Sequence, residues 1–176
     1  DMLKAGLVIK SRKTGRLIDY FHDRIIFPIT DIQGRVIAFG GRVIDNKLPK
    51  YINSPETPVY VKSNNLYGLF QARDNIRQNS QVIIVEGYTD VLMAYQYGLK
   101  NVVASLGTAL TKQQVNLIKR YADEVIIAFD SDTAGKSATL RGLSIAKKEG
   151  LKVRVISLPE GKDPVDTLLE KGGNHF

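Results

Sequence analysis

The feature that most restricts this chain is a unit repeated along its second half: a short apolar run, a break, then a segment with helical spacing. The runs are Val82-Ile83-Ile84-Val85, Val102-Val103-Ala104, Val125-Ile126-Ile127-Ala128-Phe129 and Val153-Arg154-Val155-Ile156-Ser157-Leu158. Apolar runs without polar alternation mark strands buried on both faces, as in parallel sheets. Between them lie a helix pattern from about Asp90 to Tyr97, a Thr111–Gln114 capping box opening a second, and Ala134 to Lys148 stopping at Gly150. Strand–helix alternation with short connections leads to a parallel sheet with right-handed crossovers and helices on both faces. The expected class is α/β.

The first half lacks that rhythm. Arg24-Ile25-Ile26-Phe27-Pro28-Ile29, Asp31-Ile32-Gln33-Gly34 and Arg35-Val36-Ile37-Ala38-Phe39-Gly40 read as strand, type I turn and strand, with Pro28 placing the first at a sheet edge. Residues 41–64 are rich in loop formers, and 66–78 show helical spacing. Residues 1–19 are basic and weakly patterned, and are read as an arm or junction. The expected organisation is a smaller mixed α+β basic lobe over 1–80 and the parallel sheet over 81–176, in a fragment that continues beyond both ends. The 176 residues include 25 Lys and Arg against 18 Asp and Glu, a formal charge of +7 that favours polyanionic partners. The chain has no cysteine and only two histidines, which excludes disulfides, thiol nucleophiles and Cys- or His-rich metal sites. A cysteine-free chain fits a reducing cytoplasm. No apolar run nears the ~20 residues of a membrane helix.

The acids fall where ligands bind in such folds. Glu86 and Asp90 follow the first run, Asp130 and Asp132 the third, and Asp163 with Asp166 the fourth. Parallel strands end along one edge, so Glu86, Asp130 and Asp132 are expected to converge there, with Asp163 nearby. Two carboxylates ~4 Å apart repel by roughly 4 kcal/mol at an effective dielectric near 20. Such a cluster takes up a proton or a cation, and hard oxygen donors select Mg²⁺ or Mn²⁺. A lone Asp-x-Asp is most often a turn or cap, and Asp132 could simply cap the next helix. Three clusters on one edge favour a metal site suited to phosphoryl transfer. In the first half, Arg24, Arg35, Arg42, Lys47, Lys50 and Lys62 interleave with Tyr51, Tyr60 and Tyr67. Cations that track phosphates beside rings that stack bases are the makings of a single-strand groove.

Several motifs together resemble a family. Val-Glu86-Gly-Tyr-Thr-Asp90 and Phe-Asp130-Ser-Asp132-Thr-Ala-Gly resemble the Toprim fold of primases, topoisomerases and some nucleases. Asp23-Arg24-Ile-Ile-Phe-Pro-Ile, Gly34-Arg35-Val-Ile-Ala-Phe-Gly-Gly41-Arg42, Pro49-Lys50-Tyr51-Ile-Asn53-Ser54-Pro55, Leu66-Tyr67-Gly68-Leu69, Ser105-Leu106-Gly107-Thr108 and Gly161-Lys162-Asp163-Pro164 are similar to the bacterial DnaG-type primase catalytic core. The resemblance runs from about Ile18 to the last residues. It implies that Glu86 is an acid/base or metal-linked glutamate, that Asp130 and Asp132 are the principal metal ligands, and that Asp90 and Asp163 support them. Arg42, Lys50 and Tyr51 match positions facing template and incoming nucleotide, and Arg24, Asn53 and Lys62 join them as candidates. The last acidic motif departs from the family's Asp-Pro-Asp by carrying Val165 before Asp166.

The expected activity is a Mg²⁺- or Mn²⁺-dependent nucleotidyltransferase making short RNA primers on single-stranded DNA at the bacterial replication fork. Its partners would be the template, nucleoside triphosphates, the RNA–DNA hybrid and, through a domain absent from this chain, the replicative helicase, with no membrane. The alternatives are a topoisomerase or nuclease Toprim module, or a non-catalytic nucleic-acid-binding scaffold. No residue here marks the nucleophilic tyrosine a topoisomerase needs.

Overall fold

The structure, a computed structural model, describes residues 1–45, 48–107, 109–130, 133–156 and 163–172, with only the main chain of 133, 134 and 171. They group into two compact units, Asp1–Lys62 and Ser63–Phe176.

The first unit contains two antiparallel sheets. Strands β1 (Val8–Lys10) and β2 (Leu17–Asp19) pair Ile9 with Ile18. The arm expected over 1–19 is thus a hairpin; three-residue strands are too short to show periodicity, and the pairing across the loop defines them. Strands β3 (Arg24–Thr30), β4 (Val36–Val43) and β5 (Tyr51–Asn53) form the second sheet in that order. Pro28 lies on the edge strand β3, where a missing N–H costs no ladder bond. The turn between β3 and β4 closes through Gly34 N–H donating to the Asp31 carbonyl, while Asp31 Oδ2 takes the Arg35 Nε at 2.7 Å. Burial would raise the partly buried Asp31 carboxyl, but these bonds to its charged form outweigh that and hold it below its ordinary range. Strand β5 emerges from the loop-rich stretch because β4 supplies its partners: Arg42 faces Tyr51 and Gly40 faces Asn53.

The second unit is a four-stranded parallel sheet of order β7-β6-β8-β9, made of β6 (Gln81–Val85), β7 (Val102–Ala104), β8 (Glu124–Ile127) and β9 (Lys152–Val155). Helices α1 (Leu69–Asn79), α2 (Tyr88–Gln96), α3 (Lys112–Ile118), α4 (Thr133–Lys148) and α5 (Pro164–Lys171) accompany it. Val82 to Val85 are all buried, as a central strand covered on both faces requires. On one face, Ile83, Val85, Val102 and Ala104 pack with Val91 and Ala94 of α2 and Leu168 of α5. On the other, α4 approaches closely at Gly142, where a Cβ would lie 3.4 Å from Ile127 Cδ1.

Helix α1 packs against β6 and β7, and Tyr67 just before it exchanges main-chain bonds with Ala104. Contacts therefore group 63–80 with the parallel sheet, although the strand–helix rhythm begins only after residue 80. The Thr111 box is formed as read: Thr111 Oγ1 accepts from Gln114 N–H at 3.2 Å and Gln114 Oε1 from Thr111 N–H at 3.0 Å. Gln114 is fully buried and spends its amide on the Asn65 carbonyl at 2.8 Å, which satisfies a group that burial would otherwise orphan.

Candidate active site

In the second unit the carboxyl ends of β6 and β8 are joined through an acid. Glu86 follows β6, and its Oε1 accepts the N–H of Asp130, just beyond β8, at 3.1 Å. The Glu86 carbonyl is engaged as well, taking the N–H groups of Leu106 at 3.1 Å and Gly107 at 3.3 Å from the loop after β7. To present both, Leu106 adopts a left-handed φ of 65° while buried to 3% exposure. That conformation costs a branched side chain about 1–2 kcal/mol. Burial and the paired N–H groups offset it.

Asp90 occupies the first turn of α2 and reaches back to accept the Gly87 N–H at 2.8 Å. It is 8% exposed. Burial raises its pKa to about 6; the Gly87 N–H opposes the rise, and the Asp130 and Asp163 charges add to it. Asp163 is the N-cap of α5: its Oδ1 accepts the Asp166 N–H at 2.7 Å, and Asp166 Oδ2 accepts the Asp163 N–H at 3.4 Å. The acid three residues on, after Val165, is thereby committed to capping.

Helix α4 touches this edge through Gly135, whose added Cβ would lie 2.2 Å from the Asp130 carbonyl oxygen. Only a residue without a side chain lets the helix start so close to that turn. Gly135→Ala is expected to destabilise the unit by about 1–3 kcal/mol. The midpoint of urea unfolding measures this, and a wild-type midpoint would exclude the contact.

The structure thus brings Glu86 and Asp130 together and sets Asp90 within electrostatic reach of Asp130 and Asp163. Among the described residues no three His, Asp or Glu side chains form a group able to hold a metal ion. Asp132, the second acid of its motif, lies outside the described residues, as do Thr108, Lys47 and the turn over 157–162. A cavity opens beside Glu86, with Ser105, Gly107, Ala138 and Arg141 in its walls. Arg141 was not a candidate from sequence, because nothing in the spacing of α4 tells a cavity-lining arginine from a solvated one.

The first unit gathers a different chemistry. Arg42 and Tyr51 are ladder partners, with the guanidinium carbon 5.6 Å from the ring centroid and Lys50 Nζ 6.0 Å from it. Two cations thus accompany one partly exposed ring. Asn53 sits two residues along the same strand, and its carbonyl accepts the Tyr20 hydroxyl at 3.2 Å. Arg24 turns its guanidinium to main-chain carbonyls: Pro49 at 2.9 Å, Lys50 at 3.3 Å and Gly41 at 3.4 Å. Lys62 lies in the short 3-10 turn Lys62–Asn64, where burial pushes its ammonium pKa down.

Known proteins match both units. The family described as DNA primase catalytic core, N-terminal domain matches residues 1–73, and the family described as Toprim-like matches 83–168. A DNA primase of Clostridium acetobutylicum is 51% identical over 177 residues, spanning 100% of this chain and 29% of that protein. The DNA primase of Escherichia coli K12 is 43% identical, with 98% of this chain and 30% of that protein covered. A DNA primase domain from Pseudomonas aeruginosa superimposes with a TM-score of 0.92 at 43% identity, covering 99% of this chain and 55% of that one. The structure described as the DnaG primase catalytic domain bound to ssDNA gives 0.90 at 39% identity, with 99% and 55% covered. The chain therefore spans about 30% of the length of these curated relatives.

Proposed function

We propose, for a chain that belongs to the DnaG-type DNA primase family, that it carries the RNA-synthesising centre of that enzyme. The reaction is attack of a primer 3′-hydroxyl oxygen on the α-phosphorus of a nucleoside triphosphate. The new P–O bond forms as the α–β anhydride bond breaks, the hydroxyl proton departs, and pyrophosphate leaves. One observation carries the reading: Glu86 of one strand end is bonded to Asp130 of another, beside Asp90, whose carboxyl pKa is raised first by burial and further by the Asp130 and Asp163 charges.

That edge has the donor chemistry for a divalent cation. Its donors are hard oxygens, and Asp90, raised first by burial and further by the Asp130 and Asp163 charges, sits where a nearby cation would favour the charged carboxylates. Glu86, Asp130 and Asp132 would hold Mg²⁺ or Mn²⁺, with Asp90 and Asp163 in support. A bound cation supplies charge neutralisation at the phosphates. Glu86 takes part twice: its carboxylate fixes the Asp130 turn through the main-chain N–H, and its position suits it to accept the 3′-hydroxyl proton. The Leu106–Gly107 loop, anchored on the Glu86 carbonyl, holds the main chain of Glu86 in place.

Arg42, Lys50 and Tyr51 are the single-strand contact in this reading, two cations for phosphates and one ring for an unpaired base. Asn53 and Lys62 extend it. Template, nucleoside triphosphates and the RNA–DNA hybrid are the ligands, and the replicative helicase engages the longer protein elsewhere, at the bacterial replication fork. The test is incubation of the chain with single-stranded DNA, labelled ribonucleotides and Mg²⁺. Short template-complementary RNA is expected, lost with EDTA and restored by excess Mg²⁺ or Mn²⁺. A folded, DNA-binding chain that makes no RNA under these conditions would overturn the reading.

A further inference from the structure

We propose that Arg24 is a positioning residue, whose guanidinium holds the main chain of Pro49 and Lys50 and so sets where Lys50 and Tyr51 meet nucleic acid, without itself contacting a phosphate. This rests on the reading of Lys50 and Tyr51 as part of the single-strand contact.

The argument starts from the ladder. Arg24 opens β3 opposite Val43 of β4, and the Val43 N–H donates to the Lys50 carbonyl at 3.1 Å. Residues from three neighbouring stretches of chain therefore lie in one row. In the next row Ile25, Arg42 and Tyr51 lie side by side, with side chains leaving the opposite face of the sheet. Arg24 is thus on the other side of the sheet from the Arg42–Tyr51 pair.

The side chain of Arg24 crosses β4 over Gly41. A Cβ on Gly41 would come within 3.0 Å of Arg24 Cδ and 2.8 Å of Phe21 Cδ1, so the glycine keeps that path open. Beyond it, Nη2 meets the Pro49 carbonyl and Nη1 is shared between those of Lys50 and Gly41. A guanidinium is a planar fork of five N–H donors. Here both terminal nitrogens are turned to backbone oxygens.

Besides these bonds, the segment is held by the Val43 N–H bond to the Lys50 carbonyl and by the short β4–β5 ladder. Strand β5 is three residues long, and in the loop before it Ile44 and Leu48 are 80% and 88% exposed. Apolar burial therefore does not anchor these side chains. Charge-assisted bonds to the Pro49 and Lys50 carbonyls act immediately before Tyr51 and limit the play of Lys50 itself.

Positioning and direct contact predict different salt behaviour, because each cation on a phosphate steepens the salt dependence of binding by about one counterion. The experiment measures binding of a labelled single-stranded oligonucleotide to the 176-residue chain and to Arg24→Ala, Lys50→Ala and the double variant, across salt. Thermal unfolding is followed in parallel. The expected result is that each single variant binds about tenfold more weakly and has a salt slope smaller by about one. The double variant should be no weaker than Lys50→Ala alone within twofold, with no further loss of slope. Gly41→Ala, which crowds Arg24 but removes no charge, should reproduce the affinity loss of Arg24→Ala. Additive losses with a slope smaller by about two would assign Arg24 a phosphate of its own and overturn the proposal. Unchanged affinity in Arg24→Ala, with Lys50→Ala weakened, would also overturn it. Failure of the underlying reading looks different: Lys50→Ala and wild type would then bind alike.

Discussion

Replacing both Asp130 and Asp132 by asparagine is expected to abolish Mg²⁺-dependent RNA synthesis, a fall of about 10³-fold or more, while folding and single-strand binding persist. Asn keeps the shape of Asp and removes its charge. The Asp130 N–H that Glu86 accepts is main chain, so the link between the two strand ends survives the substitution. What disappears is the anionic oxygen pair that would hold the cation, and neutralisation of phosphate charge in such centres is worth several kcal/mol. Each 1.36 kcal/mol is tenfold in rate. Binding of the oligonucleotide, assigned in the proposed reading to Arg42, Lys50 and Tyr51, is expected to stay within about twofold of wild type. Primer synthesis and oligonucleotide binding, measured on the same preparation, check both halves. Undiminished synthesis by the double variant would remove the acidic edge from the mechanism.

Asp90→Asn is expected to stabilise the metal-free protein at pH 8 by up to about 3 kcal/mol, and to have little effect near pH 4. The sign follows from the direction of the shift. The Asp90 carboxyl, with an ordinary value of 3.8, is raised in the folded protein to about 6, first by burial. Between those two pH values the folded state holds a proton that the unfolded state has released, so stability falls as pH rises through this window. Above about 6 both states are ionised and the folded one carries the full cost. Asparagine leaves the Gly87 N–H an acceptor and removes that cost along with repulsion from Asp130 and Asp163. Urea unfolding in EDTA at pH 4 and pH 8 measures the difference. Adding Mg²⁺ at pH 8 should then stabilise wild type more than the variant and close the gap. Equal stability of the two proteins at pH 8 without metal would contradict the buried, charge-loaded position assigned to Asp90.

These two variants separate what a sequence can state from what packing must add. That Glu86 and Asp130 share an edge was legible, because each follows an apolar run and parallel strands end together. The Thr111–Gln114 box was legible for a similar reason: both partners lie within one turn, and their chemistry is local. The left-handed Leu106 was not, since only its bonds to the Glu86 carbonyl and its burial make that conformation tolerable. Asp166, which follows the same run as Asp163, closes a reciprocal cap with it, a choice set by where α5 begins.

The basic half shows the same division. Alternation and turn chemistry located β3 and β4, and their cations marked a polyanion partner. Pairing with β4 decided that Tyr51 stands beside Arg42 and created β5, and a separate pairing made the β1–β2 hairpin, each from three-residue stretches. Periodicity needs several residues to register, whereas a ladder bond needs one partner. The order of charged and apolar residues by itself determined the sheet, its acidic rim and the gathering of cations in the first half. Only the tertiary structure decided that the Arg24 guanidinium meets the carbonyls of Pro49, Lys50 and Gly41, because a guanidinium goes to whichever oxygens the folded chain brings within reach.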